Sequence, residues 1–551
     1  MTYIKGVDRS QMCLPRFIED MLTEENPARA IDCFVDSLDM QKLGFQKAEP
    51  AGTGRPAYDP KDLLRLYLYG YFNKIRSSRK LMQECTRNVE LFFLLNMLTP
   101  DFRTISDFRK DNADAIRNVF LEFAKLCISL GLYHRELFAV DGSKLRAVNG
   151  NKKMYNQEIL TKKLDRISMK LKEYMDRLDR EDKNEDTADD EEDKEGHTSL
   201  SDKIQVMKDR QALYEQYLDE LVSSGETQKL ITDPQARMMR SHKDGFHCCY
   251  NVQTAVDHST HLIGEYLVTN HVNDQGILHG FSQQIKETME LSSVSIVADK
   301  GYDSKEEIIA CILNGIVPYV GFKDDKGERL LSLDYEKKDI TEKMRCSADP
   351  ADISACLHAG VLPSCYENTN LSVEVHSEGH LGCFQRAQDQ KTAVCPMGFT
   401  LRRVKTKGEG MVYASRAACR QCANRCTPSK SHKTVYFGPK AEYVAVRMYG
   451  EKPPVNVPPP DFIPHNSFFV KNRVEKTVLI RIRDDIPKQK ERLCISEHPF
   501  GTVKWYHGAH YVLCKGIRKT TAELGLSFLA YNLRRAINLI GTKAILGGIK
   551  A

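Results

Sequence analysis

The 551-residue chain contains a single tryptophan, Trp505, and no run of the eighteen or so apolar residues that a membrane-crossing helix needs. Its opening, MTYIKGVDRSQM, also lacks the basic-then-apolar order of a secretory signal. These absences argue against a helical membrane protein or a secreted one, and a cytoplasmic protein is expected. In that compartment the seventeen cysteines are expected as thiols or metal ligands rather than as disulfides. A large excess of one charge is missing too, since the formal net charge is only +5. That balance hides an asymmetry: residues 181–195, EDKNEDTADDEEDKE, hold ten acids and two lysines, which leaves +13 on the remainder. A positive body with one acidic loop suits a nucleic-acid partner. What is present otherwise is ordinary for a globular chain, 41% hydrophobic and 28% charged, and long enough for two to four structural units.

Residues 1–135 read as helical. DPKDLLRLYLYGYF and AIRNVFLEFAKLCISLGL carry the 3, 4 and 7 spacing of amphipathic helices, with Ile116, Val119, Phe120, Phe123, Leu126, Cys127 and Leu130 on one face. Between them Thr104 is placed to cap a short helix bearing Arg103, Arg109 and Lys110, which suits either a helix-turn-helix or a bundle with a basic surface. The pattern changes at ELFAVDGSKLRA, where a short apolar strand is expected to end in Asp141. Residues 150–232 then read as a helical hairpin with a disordered acidic tip. Strands follow at YNVQTAVD and HLIGEYLVTN, then helix, the strand VSIVA ending in Asp299, helix, and the strand VPYVGF. This order predicts a mixed α/β sheet with Asp141 and Asp299 each at the C-terminal end of a strand, where open α/β sheets bind ligands. From 323 to 475 the periodicity lapses and cysteines scatter, and a helix over LGLSFLAYNLRRAINLI closes the chain, with Arg534 and Arg535 off its apolar stripe.

Cys395, Cys419, Cys422 and Cys426 have gaps that suit one tetrahedral, structural zinc ion. Hard divalent metals prefer carboxylate oxygens, and two such ions support phosphodiester chemistry. Asp141 and Asp299 are candidate ligands, and Glu497 in SEHPFGTVK is the candidate third, with Glu523 its rival. Asp257, Asp274 and Asp303 read as caps or turn residues. His247 in HCC reads as structural, because neighbours on a strand face opposite ways. Trp505 reads as a packing residue, with stacking on a base as the alternative.

In family order, GRPAYDPKDLLRLYLYGYFNKIRSSRKL, PDFRTISDFR, AVDGSKLRA, DPQARMMRSHKDGFHCCYNVQTAVD, VADKGYDS, CRQCANRC, SEHPFGTVK and ELGLSFLAYNLRRAINLIG span nearly the whole chain. The chain thereby resembles bacterial insertion-sequence transposases of the DDE type, whose catalytic domain is ribonuclease H-like. The resemblance implies a helical DNA-binding domain over 1–135 and a catalytic domain over 136–322 and 476–551. The catalytic domain would be interrupted by the hairpin at 150–232 and by a zinc-ribbon-like insert at 323–475. It implies Asp141, Asp299 and Glu497 as the triad holding Mg²⁺ or Mn²⁺, with Lys504 on phosphate near the cut end. Related transposases often have a tyrosine seven and an arginine four positions before the glutamate. Here Lys490 and Leu493 stand there, with Arg492 one place off as the candidate DNA contact. Arg103, Arg109 and Lys110 would meet the DNA ends. The implied activity is binding of double-stranded terminal inverted repeats, phosphodiester hydrolysis and strand transfer to target DNA, by a homodimer. A relic that only binds DNA, or a nuclease without strand transfer, would show the same residues.

Overall fold

The computed structural model describes residues 17–49, 56–150, 153–185, 194–241, 245–322, 327–377, 380–448 (without 423, 425, 428 and 430), 454–457, 459 and 476–550. Most of the acidic tip and of the proline-rich stretch KPPVNVPPPDF lies outside these residues. The chain is a mixed α/β protein with a helical N-terminal region. It divides into two compact units, one of Met1–His134, Val140–Asp274 and Cys494–Ala551, the other of Arg135–Ala139 and Gln275–Leu493.

The first unit opens with α1 (Pro27–Ser37), α2 (Pro60–Phe72), α3 (Ser78–Glu84), α4 (Val89–Leu95), α5 (Phe102–Asp111) and α6 (Ala113–Ser129). Their starts are written locally. Asn26 and Asp59 each accept a backbone N–H beyond a proline at the first helical position, where the missing donor costs nothing. Asp101 caps α5 through the amides of Arg103 and Thr104. The expected cap, Thr104, instead donates its hydroxyl to Asp101 at 2.6 Å, because it already lies inside the first turn.

The expected stripe of α6 is buried at Ile116, Val119, Phe120, Phe123 and Cys127, while Leu126 and Leu130 are only partly covered. This face packs on the helix Ile517–Ile540, which also meets α2 and the strand β6 described below. That helix is buried continuously from Ala522 to Leu533, so it is a central helix rather than a one-sided amphipathic one. Arg534 donates to the Phe72 carbonyl at 2.6 Å and Arg535 to the Thr260 carbonyl at 2.7 Å. Both are therefore used inside the unit.

β1 runs Leu137–Arg146 and β2 is Met154–Tyr155; α7 (Gln157–Glu185) and α8 (Lys194–Ser224) follow and pack on each other. β3 (Lys229–Leu230) pairs with β2, and β4 (Arg237–Ser241), β5 (Gly245–Asp257) and β6 (Ile263–Thr269) form an antiparallel set. Asp141 is thus the fifth residue of a ten-residue strand and does not end it. Strand character continues because Leu145 turns inward, 1% exposed, and Arg146 turns outward, so the period of two persists past the glycine.

In the second unit α9 (Leu278–Thr288) precedes β7 (Val294–Ala298), and α10 (Lys305–Leu313) precedes β8 (Ile316–Val320). The first residues of β1 pair in parallel with β7, Ala139 opposite Val297, and β7 pairs in parallel with β8. Asp299 directly follows β7 and caps a short 3₁₀ turn by accepting from Gly301 N at 2.7 Å. The cysteine-rich region builds one three-stranded and one six-stranded antiparallel sheet. The core of the latter holds Phe384, Leu401, Tyr413, Phe437 and Met448.

Candidate active site

Asp141 projects from β1 and accepts from the hydroxyl of Ser496 at 3.0 Å and from Gly142 N at 2.9 Å. Ser496 is fully buried and immediately precedes Glu497 on the helix Ile486–Gly501. A contact spanning 355 positions therefore ties the start of the glutamate segment to the first aspartate. Glu497 itself is exposed. Two residues along β1 from Asp141, the hydroxyl of Ser143 accepts from the Lys504 ammonium. Lys504 lies in a π-helical turn, Thr502–Tyr506, closed by the His507 N to Thr502 O bond of 2.9 Å. Such turns redirect side chains within a helix and are frequent at functional sites.

The flank of β1 is equally determined. A Cβ on Gly142 would lie 2.5 Å from Gln253 Nε2 and 2.7 Å from Asp274 Oδ1. Asp274 accepts from the amides of Asn251 and Gln253, each at 2.8 Å, so it is part of a polar packing cluster beside β1 and not a cap. Gly142→Ala is expected to cost about 1–3 kcal/mol through overpacking. An unchanged urea midpoint would show that the cluster yields freely.

Asp257 behaves as expected, accepting from Ser259 N and Thr260 N in a turn, whereas the Asp303 carboxylate pairs with Arg329 at 2.6 Å. Glu523 is fully buried, accepts from Leu513 N and Cys514 N and pairs with Arg76, so it has no oxygen to offer a metal. His247 is partly buried with its Nε2 3.4 Å from an Arg146 nitrogen, and Cys248 and Cys249 are buried.

The expected DNA contacts separate into two groups. Arg103 and Lys110 are exposed on α5. Arg109 is buried, its guanidinium donating to Tyr71 OH at 2.9 Å and lying over the Tyr67 ring, so it serves the helical core and is not presented to DNA. Arg492 is also buried, at 9% exposure, on the inward side of its helix. Trp505 reverses the packing expectation: it is 73% exposed and stacked on His510, rings 5.8 Å apart and 16° from parallel. A π-helical turn rotates residues off the regular stripe, which periodicity does not foresee.

Cys395, Cys419, Cys422 and Cys426 line one small cavity of about 30 Å³, with Met397 and Lys433. Phe399 N donates to the Cys395 sulfur and Lys433 N to that of Cys419. Burial raises the Cys395 thiol and pushes that of Cys426 up to about 11. Among the described residues, however, no group of three or more His, Cys, Asp or Glu side chains is arranged to hold a metal ion. The thiols are gathered without a coordination geometry, and the carboxylates are likewise not arranged as a metal cage.

Residues 16–111 match the family model of a transposase domain (DUF772), and residues 223–352 match that of a transposase DDE domain. This chain thus carries two transposase domains, one of the DDE type. Its matched domains mark it as a DNA transposase, with Arg103, Arg109 and Lys110 inside the first match and Asp299 inside the second. Asp141 and Glu497 lie outside both. No curated protein sequence matches the chain. Among solved structures a piggyBac transposase synaptic complex with hairpin DNA is similar at 8% identity and a TM-score of 0.27, covering 95% of this chain and 79% of that one. No helix of the described residues is long and apolar enough to cross a membrane. Sequence reasoning missed Ser496, Ser143, Asn251 and Gln253, since nothing in their spacing marks them as neighbours of β1.

Proposed function

We propose that this transposase binds the terminal inverted repeats of an insertion sequence, hydrolyses a phosphodiester to free a 3′ hydroxyl, and transfers that end to target DNA. Asp141, Asp299 and Glu497 are the proposed catalytic carboxylates. The observation that carries the reading is the Ser496 to Asp141 hydrogen bond, which links the segment of the third carboxylate to the first across 355 positions. The second, Asp299, directly follows β7 and lies inside the match to the transposase DDE domain. The antiparallel pair β5–β6 and the parallel set of β1, β7 and β8 support the ribonuclease H-like reading of the mixed sheet.

The donor set is all oxygen, which suits Mg²⁺ or Mn²⁺. When bound, such ions stabilise charge on the attacking and leaving oxygens of an in-line displacement. The chain's own part is positional. Ser496 orients the Asp141 carboxylate, and Lys504, held at Ser143, presents an ammonium to the phosphate near the cut end. Arg103 and Lys110, exposed on α5, meet backbone phosphates of the repeat and fix register without reading bases. Synapsis of two ends is assigned to a homodimer.

The test is cleavage and strand transfer on DNA carrying the flanking terminal repeats, with Mg²⁺. Joined products support the proposal. DNA bound but never cut would leave a binding protein, and cut ends that never join would leave a nuclease.

For the cysteine cavity the proposed occupant is a structural zinc ion that would draw the thiols together, since no ready-made ligand set stands among the described residues; the support is four thiols lining one small space. Purified protein is expected to contain about one zinc per chain, lost in a Cys419→Ser, Cys422→Ser double variant. Equal zinc content in the two proteins by metal analysis would remove the assignment.

A further inference from the structure

Beyond the carboxylates, the first unit holds an open cleft of about 590 Å³ whose lining includes Arg146, Asn149, Lys153, Thr232 and His247. Among the described residues no carboxylate lines it. Arg146 and Lys153 are exposed, and Lys144 on the same strand reaches the Arg240 carbonyl at 3.2 Å, which adds a further cation to β1. The cleft wall is built rather than loose. Asn149, 5% exposed, donates to the Gly150 carbonyl at 2.9 Å and accepts from Thr232 N at 2.8 Å, and Ile231 N donates to the Lys153 carbonyl at 3.1 Å. These bonds pin the loop after β1 to the segment after β3.

The backbone of Arg146 is held in turn, donating to the His510 carbonyl at 3.2 Å and accepting from Val512 N at 2.9 Å. His510 is the residue on which the exposed Trp505 stacks, so an aromatic pair stands on the segment bonded to the backbone of Arg146. A small free anion is ordinarily caught by buried, converging donors. Exposed cations beside an exposed aromatic pair instead suit a polyanion with planar groups, which is the chemistry of a nucleic-acid strand.

We propose that this cleft binds the phosphodiester backbone of the DNA on which the transposase acts, through Arg146 and Lys153 with His247 beside them. The proposal rests on the transposase reading and adds a place to it. Arg146 is five residues along β1 from Asp141, about 17 Å at strand rise, so the contacted phosphates lie several nucleotides from the bond that is cut.

The experiment is fluorescence anisotropy of a labelled terminal-repeat duplex over a series of salt concentrations. It compares the full chain with its Arg146→Gln, Lys153→Gln double variant and with Asp141→Asn. Each phosphate contact contributes about 0.9 to the slope of log affinity against log salt. The double variant is expected to lose nearly two units of slope and to bind about 10-fold or more weakly at moderate salt. Lys153→Glu alone, at an exposed position, carries the same test if the double variant melts early. A wild-type slope in both variants overturns the cleft assignment. Asp141→Asn separates the two claims: it is expected to keep the wild-type slope while losing cleavage. A wild-type chain that binds and never cuts would defeat the catalytic reading and leave the cleft standing. A wild-type chain that binds no DNA would defeat both.

Discussion

Asp141→Asn, Asp299→Asn and Glu497→Gln are each expected to lower strand cleavage by on the order of a thousandfold, about 4 kcal/mol of barrier, while leaving folding and DNA binding near wild type. The amides keep the local bonds. Asparagine at 141 still accepts from Gly142 N through its amide oxygen, while its amide nitrogen donates to the Ser496 hydroxyl where the second carboxylate oxygen had accepted, and asparagine at 299 still accepts from Gly301 N. Glutamine at the exposed position 497 disturbs no packing. What each change removes is a negative oxygen available to a divalent metal. Ser496→Ala should give a smaller loss, about 10-fold, because it releases the orientation of Asp141 without removing its charge. The loss should appear in the rate of cutting and not in duplex affinity. Cleavage that persists in any one of the three carboxylate variants would exclude that residue from the triad.

The second large effect is on stability and lies at Glu523. Its carboxylate, fully buried, pairs with Arg76 at 2.6 Å and accepts from Leu513 N and Cys514 N. Arg76, itself 9% exposed, also donates to the carbonyls of Gly508 and Tyr511. One ion pair therefore holds the end of α2's following loop, the segment 508–514 and the central helix. Removing one partner strands a buried charge, so Glu523→Ala or Arg76→Ala is expected to destabilise the unit by about 3–5 kcal/mol. Arg76→Met with Glu523→Leu should recover only part of this, because the amides of Leu513 and Cys514 stay unpaired. Urea unfolding followed by circular dichroism measures both. A Glu523→Ala midpoint equal to wild type would mean the pair contributes nothing. Because the segment 508–514 continues from the turn bearing Lys504, reduced cleavage should accompany the loss of stability.

Much of this protein was legible in its residues because the relevant physics is local. Caps such as Asp59 before Pro60, the stripe of α6, and an apolar run closing in Asp299 depend on neighbours within a few positions. The helices, the strands around Asp299 and the transposase resemblance followed from such signals and from the order of short motifs. The strand holding Asp141 reads too short in the sequence, because a Gly-Ser pair reads as a turn unless the alternation at Leu145 and Arg146 is followed through it. Thr104 reads as a cap in the sequence, but the true cap, Asp101, sits three residues upstream.

Exposure was decided only by tertiary packing. Arg109 and Lys110 are adjacent and chemically alike, yet one is buried against Tyr67 and Tyr71 and the other is solvated, since a helix rotates about 100° per residue and the core lies on one side. The same holds for Trp505, turned outward by a π-helical turn, and for Glu523, claimed by Arg76 from 447 positions away. The sequence alone determined which chemistry the chain carries: carboxylates, thiols and a positive body, arranged in transposase order. The tertiary structure decided which of those groups meet, because Ser496 and Asp141, or Arg146 and His510, become neighbours only when segments hundreds of residues apart pack together.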